Sequence, residues 1–305
     1  MNRRRVVALL VVLPVLSGVM LGGLVSAAWV VAQPGLAAGT TWLKVAKTGE
    51  AHFSGAPTQP FFLLAVGNDG RPGDTSVRGD ALHLVGVNPE QGSATVLDIP
   101  RDTGAPIPGH GIDKITHAMV YGGLGLEAQV VGELVGVQIP YAITTNFDGF
   151  VAMIDEMGGI DIDIQQPMHD DFSGAFFDPG PRHLSGDDAL RYSRDRHDFP
   201  LDDVKRTENQ GFLAISALAT LRGQNPGAAG AVSLVATLAR HVQLEGLSVV
   251  DLYRLGRLAL SIDPARIRNV VVPTVDTGKS TVLGLDPSAS TLFADFADDA
   301  VLETQ

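Results

Sequence analysis

From Val6 to Ala32 the chain carries no charged residue, and Arg3, Arg4 and Arg5 stand directly before that run. A helix needs about 20 apolar residues to cross a hydrocarbon core, so the run is long enough to span a bilayer. Basic residues on the short side hold it in the cytoplasm. The sequence therefore predicts a cytoplasmic tail at 1–5, a transmembrane helix at 6–32, and everything after Gln33 outside, a single-pass cell-membrane protein. A cleaved signal peptide is the competing reading. Secretory apolar cores run only about 7–15 residues, and no small-x-small site follows a shorter core here, so an anchor is expected.

The 305 residues, 45% of them hydrophobic, can bury one sizeable core. A formal net charge of -12 excludes an extended nucleic-acid surface, which needs Lys and Arg to neutralise phosphates. With no cysteine there is no disulfide scaffold, thiolate metal site or Cys nucleophile. No Gly-x-Ser-x-Gly elbow, HExxH pair or Gly-rich loop ending in Gly-Lys-Ser/Thr occurs, so serine hydrolases, zincins and P-loop enzymes fall away.

Residues 33–58 read as a juxtamembrane linker with one short helix around Trp42 to Ala46. Continuous apolar runs at Phe61 to Gly67, Ala81 to Val87 and Ala94 to Ile99 predict three buried strands, the last two joined by a turn at Asn88 to Gly92. Apolar residues recur at helical spacing from Leu126 to Val135 and from Phe147 to Met157. Ile and Asp alternate from Gly159 to Ile164, a half-exposed strand. Ser185 with Asp188 marks a helix start, and a long helix follows from Asp202 to Arg222. Helices are expected near Ala231 to Gln243 and Ser248 to Ile262, then a strand from Asn269 to Pro273. Interleaved strands and helices indicate a three-layer α/β/α sandwich with a mixed sheet. The core domain is set at 59–223, with a C-terminal helical extension at 224–305, bearing one strand, packed on it.

Charged residues cluster where strands should end: Asn68-Asp69-Gly70-Arg71, Arg78-Gly79-Asp80 and Pro100-Arg101-Asp102. Arg191, Arg194 and Arg196 follow within six residues, then Lys205, Arg206 and Gln210. Guanidinium forks match phosphate oxygens, so these cations, converging, would clamp a diphosphate. The plainer alternative pairs each Arg with a neighbouring Asp on a solvated surface, as Asp195, Asp198, Asp202 and Asp203 allow. Asp69 and Asp80 are a candidate pair of magnesium ligands, since Mg²⁺ takes oxygen donors and keeps phosphates in its shell. Arg78-Gly79-Asp80 also spells an adhesion tripeptide, but it precedes a buried strand. Among the histidines, only His197 lies beside the arginine cluster.

Taken in order, these clusters resemble the LytR-CpsA-Psr family of cell-envelope glycopolymer ligases over about Phe61 to Leu221. The likeness rests on Leu63 to Arg71, Arg78-Gly79-Asp80, Leu97 to Asp102, Lys114-Ile115, Tyr121-Gly122-Gly123, Phe147 to Phe150, Gly158 to Asp161, His183 to Gly186, Tyr192 to Arg196 and Asp203 to Gln210. The resemblance implies an α/β/α fold with an apolar groove for a polyprenyl tail and an arginine cluster at its mouth. It implies pyrophosphate contacts from Arg78, Arg101, Lys114, Arg194, Arg196, Arg206 and Gln210. Asp69 and Asp80 would hold magnesium, and Asp80, Arg101 and Asp102 would form the catalytic set, with Asp80 or Asp102 as base. The expected reaction is Mg-dependent phosphotransfer of a glycopolymer from a polyprenyl-pyrophosphate donor to a peptidoglycan acceptor. Lipid binding or pyrophosphate hydrolysis without ligation is the alternative. The chain departs from the family pattern at Gly79 and Ala81, where Ser and Thr are usual, and at Asn209, often Arg.

Overall fold

The computed structural model describes residues 41, 43–49, 59–71, 74, 76–196, 202–224, 241–278 and 281–303. The run expected to span the membrane, and His197, lie outside them. No helix among the described residues is long and apolar enough to cross a membrane.

The chain opens with β1 (Leu43–Lys47), β2 (Phe61–Asn68), β3 (Gly79–Asn88) and β4 (Ser93–Ile99), then a hairpin of β5 (Gly104–Ile107) and β6 (Gly111–Lys114). Helix α1 (His117–Val135) leads to β7 (Tyr141–Asn146) and α2 (Phe147–Glu156). Two small ribbons follow, from β8 (Ile160–Ile164), β9 (Met168–Asp170), β10 (Ala175–Phe177) and β11 (Gly180–Leu184). Next come α3 (Gly186–Arg194), α4 (Asp202–Gln224), β12 (Val242–Glu245), α5 (Val249–Ser261) and β13 (Ile267–Val271). A ribbon of β14 (Thr274–Asp276) and β15 (Leu283–Leu285), then α6 (Ala289–Asp299), end the fold.

Seven strands form one mixed sheet in the order β12-β1-β7-β2-β3-β4-β13, parallel at β12/β1, β7/β2 and β4/β13 and antiparallel at the other three junctions. Period-two alternation gives each strand two faces. Leu64, Val66, Leu82, Leu84, Leu97 and Ile99 pack on one side against α1 and α6, through Ala128, Val131, Phe293 and Phe296. On the other side Val85 and Val87 meet Leu258 of α5, α4 crosses β3, β4 and β13, and α2, α3 and α4 build a second core on the β8/β11 ribbon. Ser185 caps α3 by accepting from the Asp188 amide, as its sequence signature indicates. Helix α1 is kinked at Gly122 and Gly123, the latter with φ 68°, a left-handed conformation that a side chain opposes.

Two boundaries need correction. The segment around Trp42 to Ala46, expected as a helix within a linker, supplies β1, which sits inside the central sheet between β12 and β7. Residues 224–305 are no appended extension: β12 and β13 form both edges of that same sheet. Five residues in Leu-Lys-Val-Ala-Lys order satisfy either period, and pairing with partners about 100 and 200 positions away decided between them.

Candidate functional site

Residues at alternate positions of three adjacent strands, Ala65 and Gly67 of β2, Ala81 and His83 of β3, Ile143 and Thr145 of β7, floor a cavity of about 640 Å³. Helices α2 and α4 roof it. Helix α2 contributes Phe147, Phe150, Met153 and Ile154. Helix α4 contributes one stripe at helical spacing: Arg206, Gln210, Leu213, Ala214, Ala217, Leu218 and Leu221. Along that stripe the lining passes from guanidinium to amide to aliphatic carbon, so the cavity has a cationic mouth and a greasy interior. Asp69, Asp80, Arg101, Arg194 and Arg196 complete the mouth.

Three guanidinium groups gather about one buried carboxylate. Oδ1 of Asp203 lies 2.9 Å from Arg206 Nη2, 3.7 Å from Arg196 Nε and 3.9 Å from Arg101 Nε. Arg101 Nη1 donates to Asp80 Oδ1 at 2.6 Å, and Arg206 Nη2 donates to the Asp80 carbonyl at 3.3 Å. The Nε atoms of Arg101, Arg196 and Arg206 are buried without a hydrogen-bond acceptor among the described residues. Buried donors are ordinarily paired, and a charged donor left unpaired is costly. With these Nε atoms sealed from solvent, a ligand in the cavity can reach the guanidinium groups only through their terminal nitrogens. Arg194 lies over the Phe147 ring, 5.4 Å from its centroid, which fixes the guanidinium at the lip.

Burial lowers the pKa of Arg206, with Arg101 and Arg196 pushing the same way and Asp203 opposing. Burial also disfavours the Arg101 charge, but Asp80, Asp203 and Asp102 outweigh it and raise that pKa.

Of the expected contacts, Arg101, Arg194, Arg196, Arg206 and Gln210 line the cavity with Asp69 and Asp80. Arg78, Lys114 and Asp102 do not. The Arg78 side chain is exposed, while its amide donates to Asp69 Oδ1 at 2.9 Å. Lys114 Nζ is held by Asp102 Oδ1 at 2.7 Å, so these two occupy each other behind the arginines. Of the two candidate bases, Asp80 lines the cavity and Asp102 does not.

For magnesium, the donor set fits. Asp69 and Asp80 both present carboxylates to the mouth, hard oxygen donors of the kind Mg²⁺ takes, with phosphate oxygens and water left to complete its shell. Among the described residues no group of three or more side-chain ligands is present, so a closed protein cage is not formed there.

The departures are explained in part. A Cβ at Gly79 would stand 3.0 Å from Glu127 Oε1 and from Val66, so Glu127 of α1 fills the space of the missing side chain. Asn209 is buried and outside the cavity lining.

His83 and Asp98 escaped notice as isolated polar residues within apolar runs. Hairpin arithmetic could have found them: a turn that sets Asn88 opposite Ser93 sets His83 opposite Asp98.

The geometry is thus a cavity with guanidinium groups at its mouth and an apolar interior, carried by a mixed sheet with helices on both sides. Comparison with known proteins agrees. The LytR_cpsA_psr family model matches residues 37–291, and the chain belongs to that family. Over 154 residues it is 36% identical to the polyisoprenyl-teichoic acid–peptidoglycan teichoic acid transferase TagU of Bacillus cereus, a stretch covering 50% of each chain; the match thus spans about half the length of that curated relative. The fold resembles a LytR-Csp2A-Psr enzyme from Actinomyces oris, with TM-score 0.64 and 23% identity over 79% of this chain and 91% of that one. It also resembles the family protein YwtF (TagT) with bound octaprenyl pyrophosphate lipid, with TM-score 0.61 and 22% identity over 86% and 96%.

Proposed function

We propose that this protein is a phosphotransferase that moves a glycopolymer from a polyprenyl-pyrophosphate carrier to peptidoglycan, forming a phosphodiester during wall assembly. The observation that carries this is the α4 stripe: one helix lays Arg206 and Gln210 over the mouth and Leu213 to Leu221 along the interior. Such a surface fits a ligand with a diphosphate head and a long hydrocarbon tail. The names of the relatives, a teichoic acid transferase and a protein holding octaprenyl pyrophosphate lipid, support the same reading.

In this mechanism Arg101, Arg194, Arg196 and Arg206 bind and orient the diphosphate. Phosphoryl transfer asks chiefly for positioning and charge neutralisation, and the guanidinium groups lining the mouth would supply both. Asp80, fixed by Arg101, is the base that would receive the proton of an acceptor hydroxyl. Asp69 and Asp80 would hold a magnesium ion, which when bound supplies charge neutralisation at the phosphate oxygens. The apolar run at 6–32 would anchor the chain in the cell membrane with its N-terminus inside and the catalytic domain outside, next to both substrates.

Arg206→Ala removes a charged donor without emptying the apolar core. Transfer from a lipid-linked glycan to peptidoglycan should fall by about 10²–10³-fold, with circular dichroism unchanged. Undiminished transfer would refute the site. Phosphate release without a glycan–peptidoglycan product would leave a hydrolase, and tight lipid binding without either would leave a carrier.

A further inference from the structure

One ionisable pair in the cavity wall is not used by the arginine clamp. His83 and Asp98 face each other across β3 and β4, with His83 Nδ1 2.5 Å from Asp98 Oδ1. Asp98 is fully inaccessible and His83 only 8% exposed, yet His83 lines the cavity. Its other ring nitrogen, Nε2, has no hydrogen-bond partner among the described residues and is not among the polar atoms sealed from solvent. It therefore opens into the cavity. A carboxylate on Nδ1 fixes the ring orientation and directs Nε2 to the cavity.

Its position along the cavity is set by α4. A Cβ on Gly211 would stand 2.5 Å from Asp98 Oδ2, so the helix passes directly over the pair at that residue. Gln210, the neighbour of Gly211, lines the cavity. One turn toward the mouth is Arg206; one turn inward is Ala214. Along β3, His83 is three residues from Asp80, about 10 Å at strand rise. His83 thus stands where the polar mouth gives way to the apolar interior. Burial raises the Asp98 carboxyl to about 6, against the opposing contacts of His83 and Asn269. Of the charged groups, Glu208 on α4 acts on the Asp98 carboxyl, and Arg206, Arg101 and Asp80 line the same cavity as His83.

This inference rests on the polyprenyl-pyrophosphate reading. A lipid whose tail fills the interior has two distinguishable phosphates: the inner one bears the tail and is the leaving group, and the outer one bears the glycan. We propose that His83 gives its Nε2 proton to the lipid phosphate as it departs, with Asp98 as the group that positions the imidazole. The acceptor oxygen bonds to the glycan-bearing phosphorus, and the bond from that phosphorus to the bridging oxygen breaks. The bridging oxygen leaves with the electron pair on the lipid phosphate and takes the proton from Nε2. The proton of the acceptor hydroxyl goes to Asp80 and from there to solvent, from which His83 is recharged.

The test compares the full-length wild type and His83→Gln on two donors with the same saccharide, one lipid-pyrophosphate-linked and one a 2,4-dinitrophenyl phosphodiester, whose leaving group is a weaker base than a phosphate monoester. On the pyrophosphate donor His83→Gln should lose about 10²–10⁴-fold in kcat. On the dinitrophenyl donor it should lose less than about tenfold. Equal losses on both donors would assign His83 a structural role and overturn the proposal, as would an unchanged rate on the first. A wild type that transfers from neither donor, while still binding the lipid, refutes the transferase reading itself.

Discussion

Glu127 offers a sharp test of how burial governs the layer beneath the site. It is fully inaccessible on α1, neither carboxylate oxygen has a side-chain partner, and it fills the space beside Gly79, the residue that precedes Asp80. Burial raises its pKa from 4.5 to about 8, opposed only by the Met119 amide. The folded protein therefore keeps Glu127 protonated through a range in which the unfolded chain has released that proton. Stability from this group is complete below pH 4.5 and is lost as pH rises toward 8, because between those values the unfolded state binds fewer protons than the folded one. The gap from 4.5 to about 8, at about 1.4 kcal/mol for each tenfold step, amounts to about 5 kcal/mol. Glu127→Gln keeps the shape and removes the titration. Urea unfolding followed by circular dichroism should show the variant more stable than wild type at pH 8 by several kcal/mol, and within about 1 kcal/mol of it at pH 5. Equal stability of the two proteins at pH 8, or a gain that does not depend on pH, would refute the reasoning.

Other perturbations follow from single contacts. A Cβ at position 211 would meet Asn269 Oδ1 and both carboxylate oxygens of Asp98 below 3.0 Å, so Gly211→Ala should push α4 off β4 and cost about 1–3 kcal/mol, seen as a lower urea midpoint. Ala217→Trp places an indole in the cavity interior, beyond the mouth. It should weaken polyprenyl phosphate binding at least about tenfold while inorganic pyrophosphate binds as before, measured by calorimetry at one salt concentration. Ser185 accepts from the Asp188 amide at 3.3 Å, and Ser185→Ala should cost about 1 kcal/mol, a lowering of Tm by a few degrees.

How much of this was legible in the sequence depends on how local the deciding interaction is. Strands β2, β3 and β4 are continuous apolar runs, α2 and α4 carry their own periodicity, and α3 announces itself through Ser185 and Asp188; all of these are decided within a few residues. Strand β1 is decided by β7 and β12, and β12 and β13 join the sheet edges through partners far away in the chain. No window of sequence contains those partners. In the site, the arginines were visible as charge clusters at strand ends, and Arg101, Arg194, Arg196 and Arg206 do meet at one mouth. The sequence could not show that Lys114 and Asp102 pair with each other instead. Nor could it show that Asp203, first read as one of several neutralising neighbours, is the carboxylate about which three guanidiniums gather.

That carboxylate explains how cations assemble in a chain of net charge -12 before any anion arrives. Unscreened, Arg101, Arg196 and Arg206 would repel one another across a few ångströms of poorly solvated space. Asp203, three residues from Arg206 on the same helix, offsets that repulsion from behind, and Asp80 does so from the side. A guanidinium donates from a fork of five N–H groups. In Arg101 and Arg206 terminal nitrogens hold these protein oxygens, the Arg101 Nε faces Asp203, and both Nε groups are sealed from solvent. The carboxylates thus set the geometry with the inner side of each fork, and only terminal N–H groups not used in this way remain for a ligand. An arriving diphosphate therefore meets guanidinium groups already held side by side at the cavity wall.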